Sequence, residues 1–526
     1  AKPVRAPPPG NTTGPTGGRS TLLSAALYRR LSGDGSSPRS SGLGYVRYRH
    51  ARQHLPGEDA LIHDLIIIGG GIAGLSTAVQ AIDNGLTPLV LEKGETPDYP
   101  CNARWSGGVI HVAEKDMRAP KEDILAKIDH LTNGTGGAGL AAIMAEDAEE
   151  TLDWLRGKGA KFVKGGAVEF MRWVLAPPRP RRPGLDWKGR GPDVLLRNLA
   201  AATEAGGGTL ERGVRGKELI FEDGQVAGLT AERAGETIEF RATAVVICDG
   251  GFQGDPDLVR KYIAPNPEAL FTRGAGTGCG DGLRMAEGLG AKLVGMNRFY
   301  GHLLGREAFQ NDKLWPYPTV DAIARSSILV NRSGKRLLDE GRGGIYLANE
   351  IAKLDDPQSI AVIFDDAVWT GLAADNRYPP CMNPAFVNEG GTVFVADTLD
   401  DLAGQIGVPG AALNATIRSY NAALENGTAD QLSPARTANV VTALPIRTAP
   451  FHAIEVCVGI TYTMGGIAID DASRVLDAAD RPIPGLFAAG SATGGIEGGP
   501  NAAYLGGLTK GVITGRRAAN AIANAG

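Results

Sequence analysis

The alternation of apolar and polar positions becomes regular only beyond about residue 60. There Leu65-Ile66-Ile67-Ile68 forms a short unbroken apolar run after Asp64, the pattern of a strand buried on both faces. Glycines stand at 69, 70, 71 and 74, and the spacing predicts a helix from Ile72 to about Asn84, closed by Gly85. Pro88-Leu89-Val90-Leu91 reads as a second strand ending at Glu92. Strand, glycine turn, helix and strand fit within about 30 residues, the size of one βαβ unit.

Farther along, helices are predicted over 146–158 and 192–205, and residues 221–226 read as a hairpin turning at Asp223-Gly224. Ala244-Val245-Val246-Ile247-Cys248 is another buried-strand pattern, broken by Asp249-Gly250-Gly251. Gly485 to Gly490 repeats the strand-into-glycine pattern, and a last helix is expected from Gly506-Gly507 to the end. From about 291 to 435 the glycine-rich turns thin out while aromatics and prolines become more frequent. That stretch reads as a second domain inserted into a first one, whose two parts are 61–290 and 436–526.

Composition narrows the function classes. A chain of 526 residues is too long for a single compact core. Its 74 glycines follow no collagen-like period, so they mark turns and close approaches of backbone to a ligand. A net charge of −4 points to neither nucleic acid nor an anionic membrane surface. The five cysteines are scattered without a CxxC pair, which argues against a metal site or a disulfide framework and for a reducing, cytoplasmic setting. No apolar run approaches the roughly 20 residues that would span a bilayer. Residues 1–60 are rich in Pro, Gly, Ser and Arg, with Asp34 the only acid before Glu58. A transit peptide with a short amphipathic helix at Ser20–Leu31 fits, and so does a disordered extension, the favoured reading. A twin-arginine signal fits poorly, because Arg29-Arg30 is followed by polar residues.

The candidate chemistry sits on the glycine turns. Gly69-x-Gly71-x-x-Gly74 permits a tight turn and brings a pyrophosphate against the free N–H groups at Ile72 and Ala73. Glu92, about 20 residues on and followed by Lys93, suits the hydroxyls of an adenosine ribose. Asp249-Gly250 and Gly490-Ser491 are further strand-to-glycine turns of the kind that pack beside a dinucleotide. A helix starting at Gly506-Gly507 would direct its N-terminus at a flavin pyrimidine. Each cluster alone is also compatible with an ordinary loop. Their order along the chain, with a late return to the cofactor, favours FAD over NAD.

Several motifs in sequence carry a family resemblance. They are Gly69-x-Gly71-x-x-Gly74, Arg104-Trp105-Ser106-Gly107-Gly108, Thr277-x-x-Gly280-Asp281-Gly282, Val330-Asn331-x-x-Gly334-x-Arg336-x-x-Asp339-Glu340, Thr463-Met464-Gly465-Gly466 and Gly485 to Gly490. From Asp64 to the C-terminus the chain resembles the fumarate reductase and succinate dehydrogenase flavoproteins, nearest to the branch with tricarballylate dehydrogenase and 3-ketosteroid dehydrogenases. The resemblance implies an α/β fold: a Rossmann-like FAD-binding domain interrupted by an α+β capping domain. It further implies non-covalent FAD, with Ser106, Gly107, Gly108 and Asp281 among its contacts. The implied reaction is hydride transfer between flavin N5 and a carbon of a small carbonyl or carboxylate substrate, with proton transfer at the neighbouring carbon.

Departures from that family set further expectations. Tyr462 stands where fumarate reductases place a carboxylate-holding His, and Tyr504 where they place an Arg. These changes predict a less cationic pocket and make plain fumarate reduction a poor fit. Arg342, two residues after Glu340, is the candidate proton carrier or carboxylate clamp; a surface salt bridge is the alternative. Tyr462 and Tyr504 are candidates for acid–base work or, alternatively, packed aromatics. His111, His302 and His452 have no HxxxH or acidic partner pattern and read as structural. Trp187 to Pro192 opens a helix that either holds an anion or faces solvent. The leading expectation is dehydrogenation of a CH–CH bond beside a carbonyl or carboxylate. The reverse enoate reduction and an oxygen-reactive oxidase are the alternatives, with quinone, redox protein or oxygen as electron acceptor.

Overall fold

The computed structural model describes residues 62–180, 182–375, 382–437 and 442–525. The predicted amphipathic segment at 20–31 and the rest of the extension to residue 60 lie outside these residues.

A six-stranded sheet organises the cofactor side. Its order is Arg474–Leu476, Pro482–Ala488, Val245–Ile247, Leu65–Ile68, Pro88–Glu92 and Thr209–Arg212. All neighbours are parallel except the antiparallel edge strand Arg474–Leu476. Leu65, Ile66, Ile67, Val245, Val246 and Ile247 are fully buried, as unbroken apolar runs covered on both faces require. The helix Ile72–Asp83 leaves the first strand, and the final helix Gly507–Ala525 lies against it. That contact is close: a Cβ on Gly515 would sit 2.6 Å from the Ala73 carbonyl oxygen. A second sheet, of four strands, contains the expected hairpin between Val214–Glu222 and Gln225–Arg233. Asp223 and Gly224 turn it with φ of +50° and +82°, the signs a tight two-residue hairpin needs.

A third sheet lies beyond this framework. Its spine is the 13-residue strand Phe451–Thr463. Phe271–Thr272 pairs with the spine in parallel, and Phe299–Gly305, Ala361–Asp365 and Phe394–Ala396 pair with it antiparallel. The spine lies past residue 435, where the sequence suggests a return to the first domain, yet most of its partners come from 299–396. Its run of buried residues from Val456 to Ile460 explains why: covered on both sides, it belongs in the middle of a sheet rather than at a border.

Candidate active site

The first strand and helix meet at a turn with no slack. Gly69 has φ of +101°, and a Cβ there would lie 2.7 Å from the Cys248 carbonyl oxygen. At Gly74 a Cβ would sit 1.9 Å from the Gly69 carbonyl oxygen, so this glycine lets helix and strand touch and does not itself line the site. Gly71 faces open space instead, and no side chain caps the helix above it. Its first-turn N–H groups at Ile72 and Ala73 are therefore available at the cavity wall.

Glu92 closes one side of this turn. Its carboxylate accepts N–H bonds from Gly70 at 2.8 Å and Gly94 at 2.7 Å, which fix its orientation and leave acceptor capacity for hydroxyl donors. Lys93 lies 3.7 Å from Asp281, whose carboxylate also takes two bonds from Arg215. Asp249 accepts the Gly282 N–H at 2.8 Å, while its other oxygen is buried without a partner. Burial raises the Asp249 pKa to about 6.

One cavity of about 1470 Å³ runs along all of these groups. Ser106, Gly107, Gly108, Gly250, Gly490, Ser491 and Gly507 line it as well. Gly506 does not line it: with φ of +116° it packs on the His111 carbonyl, where a Cβ would approach to 2.3 Å. At the helix start within Trp187–Pro192, the chain places a carboxylate of its own. Asp193 already takes the Gly189 N–H there and lies 3.2 Å from the buried Arg104.

The far end of the cavity is a chamber of phenols and guanidiniums. Tyr504 stacks on Tyr300 at 4.1 Å and 20°, with Tyr462 5.5 Å from Tyr300. Tyr462 gives its hydroxyl hydrogen to Glu497, which also binds Lys510 at 2.7 Å; both charges are buried. Burial, reinforced by Glu497, pushes the Tyr462 and Tyr504 phenols well above their ordinary pKa. Arg342 lines the same cavity, bonded to Asn501 at 2.6 Å and Pro500 at 2.7 Å, with its guanidinium 3.8 Å over Tyr346.

Two features of the cavity lie outside the sequence reading. First, guanidiniums that the sequence did not single out line the cavity: Arg179, Arg273 and Arg325 join Arg342 there. Arg179 bonds the carbonyls of Trp105 and Ser106, and Arg273 bonds Pro316 at 3.1 Å and Thr461 at 2.9 Å. These hydrogen-bond partners are neutral, while the carboxylates of Asp186 and Asp321 lie within electrostatic reach of Arg179 and Arg273. Arg179 and Arg273 escaped the sequence reading because they follow no spacing rule. Second, His302 has an acidic partner after all. Its Nδ1 lies 2.5 Å from Asp321 and its Nε2 lies 3.0 Å from the Tyr300 hydroxyl. That carboxylate arrives on a separate helix, Asp321–Ala324, so no local pattern announces it. Burial lowers the His302 pKa, against the pull of Asp321. His452 has an acidic partner too, its Nε2 3.3 Å from Asp366, but it stacks on Phe364 at 5.3 Å and does not line the cavity.

The residues fit a flavin dinucleotide. Open helix N–H groups face the cavity at one end, and the buried, unpartnered oxygens of Asp249 and Gln253 offer acceptors along its wall. A dinucleotide cradle that leads into a chamber of this chemistry makes the protein an FAD-dependent oxidoreductase. Comparison with known sequences supplies the family: residues 64–504 match the FAD-binding domain family, and the chain belongs to it. A vinyl phenol reductase of Lactiplantibacillus plantarum is 25% identical over 470 residues, covering 84% of this chain and 92% of that protein. The fumarate reductase (cytochrome) of Shewanella frigidimarina is 28% identical over 449 residues, covering 83% of this chain and 72% of that one. Among solved structures, the 3-ketosteroid-Δ4-(5α)-dehydrogenase of Rhodococcus jostii RHA1 superposes with a TM-score of 0.68. It covers 89% of this chain and 98% of its own, and at 22% identity the likeness is one of fold.

Proposed function

We propose that the protein oxidises a CH–CH bond next to a carbonyl or carboxylate, moving a hydride to FAD and a proton to a side chain of the chamber. The observation that carries this reading is the single cavity joining the dinucleotide cradle to the guanidiniums and phenols. Bound FAD supplies the two-electron acceptor. Arg273 and Arg342 suit a substrate carbonyl or carboxylate oxygen, since both line the cavity and their hydrogen bonds there go to neutral oxygens. Holding that oxygen acidifies the neighbouring C–H, and the sequence offers Arg342, Tyr462 and Tyr504 as candidates to take its proton. Residues 291–435, with the strand Phe451–Thr463 as their return, act as the cap over the substrate.

The names of the vinyl phenol and fumarate reductases favour a second reading, in which the same groups work in the direction of C=C reduction. The electron acceptor, whether quinone, redox protein or oxygen, then sets the direction together with the flavin potential. We place the cofactor as non-covalent FAD. The free thiols of Cys101, Cys248, Cys279 and Cys457 support a reducing, cytoplasmic setting. Among the described residues no helix is long and apolar enough to cross a membrane.

The test is an anaerobic spectral titration of the holoenzyme with succinate, cyclohexanone and a saturated oxosteroid. Bleaching of the flavin band by one of them is expected. Reoxidation of the dithionite-reduced protein by the matching unsaturated compound, without bleaching, makes the enzyme a reductase. Neither response with any of them overturns the proposal. Acid precipitation that leaves all yellow colour with the protein would refute non-covalent binding.

A further inference from the structure

Tyr300 and His302 lie two residues apart on the strand Phe299–Gly305, and alternate residues of a strand face the same side. Gly301 between them allows the strand to press on its neighbour: a Cβ there would meet the Gly459 carbonyl oxygen at 2.3 Å. The shared face is the cavity wall, which both side chains line. Asp321 is held in place by the Leu303 N–H, 3.1 Å from Oδ1, and presents Oδ2 to His302 Nδ1. A carboxylate on Nδ1 fixes the tautomer that carries hydrogen there, leaving Nε2 to accept from the Tyr300 hydroxyl at 3.0 Å.

The other proton carriers compare poorly with this line. Arg342 is a guanidinium, which stays protonated in proteins and so serves as a clamp better than as a base. Tyr462 commits its hydroxyl hydrogen to Glu497, and a carboxylate beside a phenol opposes the phenolate. Of the three tyrosines, Tyr300 is the one whose hydroxyl is hydrogen-bonded to an imidazole; His111 meets Tyr504 only ring edge to ring, at 5.5 Å.

We propose that Asp321, His302 and Tyr300 form a proton relay whose outer member, Tyr300, exchanges the proton with the substrate. The relay rests on the hydride-transfer reading of the site. In the oxidative direction the α C–H bond breaks, and its electron pair forms the new C=C bond as the β hydrogen leaves with its own pair as hydride to the flavin. The α proton bonds to Tyr300 Oη while the phenolic hydrogen moves to His302 Nε2. Asp321 stabilises the imidazolium through Nδ1–H, and His302 releases its proton to solvent before the next cycle. Reduction runs the same line backwards, from His302 through Tyr300 to the α carbon.

The experiment uses holoenzyme and the Tyr300→Phe, His302→Gln and Asp321→Asn variants, with cyclohexanone, succinate and a saturated oxosteroid as donors. The anaerobic bleaching rate is followed against pH, and flavin content reports whether each variant remains intact. Tyr300→Phe keeps the stacked ring, so its loss is chemical: a fall of about 100- to 10,000-fold is expected, with His302→Gln similar. The groups facing His302 are Asp321, Tyr300 and Arg273, and of these Asp321 raises its pKa while Arg273 lowers it. Asp321→Asn is therefore expected to lower the maximal rate and to move the acid limb of the profile to lower pH. Flavin-loaded variants as fast as wild type overturn the relay and leave the hydride-transfer reading standing. Slow variants with an unmoved acid limb also overturn it, in favour of a packing role. A wild-type holoenzyme that responds to none of the donors or their unsaturated counterparts removes both proposals.

Discussion

The two ends of the cavity are built from different materials. The dinucleotide end is mostly backbone: glycines at 69, 71, 250 and 490 bring main chain to the wall, and Glu92 is itself fixed by two N–H bonds. The substrate end is side chain: Tyr300, Tyr462 and Tyr504 meet from three separate segments, around guanidiniums held by carbonyls. Backbone cradles tolerate no added atom, because the neighbouring main chain cannot move aside. Side-chain chambers tolerate changes of shape but not an unbalanced charge.

The largest expected effect tests the second half of that contrast. Glu497→Gln leaves Lys510 buried without its partner, which should cost about 3–5 kcal/mol in denaturant unfolding. Adding Lys510→Met should return most of it; no recovery in the double variant would show that Glu497 matters chiefly through Tyr462 and Leu505. Next, Gly74→Ala places a Cβ 1.9 Å from the Gly69 carbonyl and should lower stability by about 3 kcal/mol, with loss of bound flavin. An unchanged melting temperature and full flavin content would break the distinction between the two ends. Glu92→Gln keeps the shape but weakens charge-assisted bonds, and FAD affinity should fall by roughly 10-fold, read by flavin fluorescence on dilution.

The smallest effect concerns Asp249. Its folded pKa of about 6 lies above the ordinary carboxylate value, so the folded protein binds this proton more tightly than the unfolded chain. The resulting stability is full below the ordinary carboxylate range and is lost as pH rises through about 6. Thermal melts of the FAD-free protein across that window should show a slope that Asp249→Asn removes.

The same contrast decides what the sequence discloses. The cradle can be read because its glycines keep fixed spacings to a strand, a helix and Glu92, and those spacings are set by local geometry. The hairpin at Asp223-Gly224 is legible for the same reason. Tyr462 and Tyr504 stand out only through the family resemblance, as residues where another type is expected. The link from His302 to Asp321 has no such rule, since two short 3-10 helices and their connections intervene; only the strand-like alternation of Tyr300 and His302 hints that they share a face. The spine strand is concealed too, because an apolar run does not say which sheet will take it.

That spine, Phe451–Thr463, is also a ruler. Fully extended, 13 residues measure roughly 40 Å at ~3.3 Å per residue. Three successive graduations at its inner end are already allotted: Thr461 to Arg273, Tyr462 to Glu497, and Thr463 to the Phe252 N–H at 3.2 Å. One residue inserted upstream would shift the scale by one mark and turn all three to the opposite face. The segment can therefore vary in what it carries, but hardly in its length.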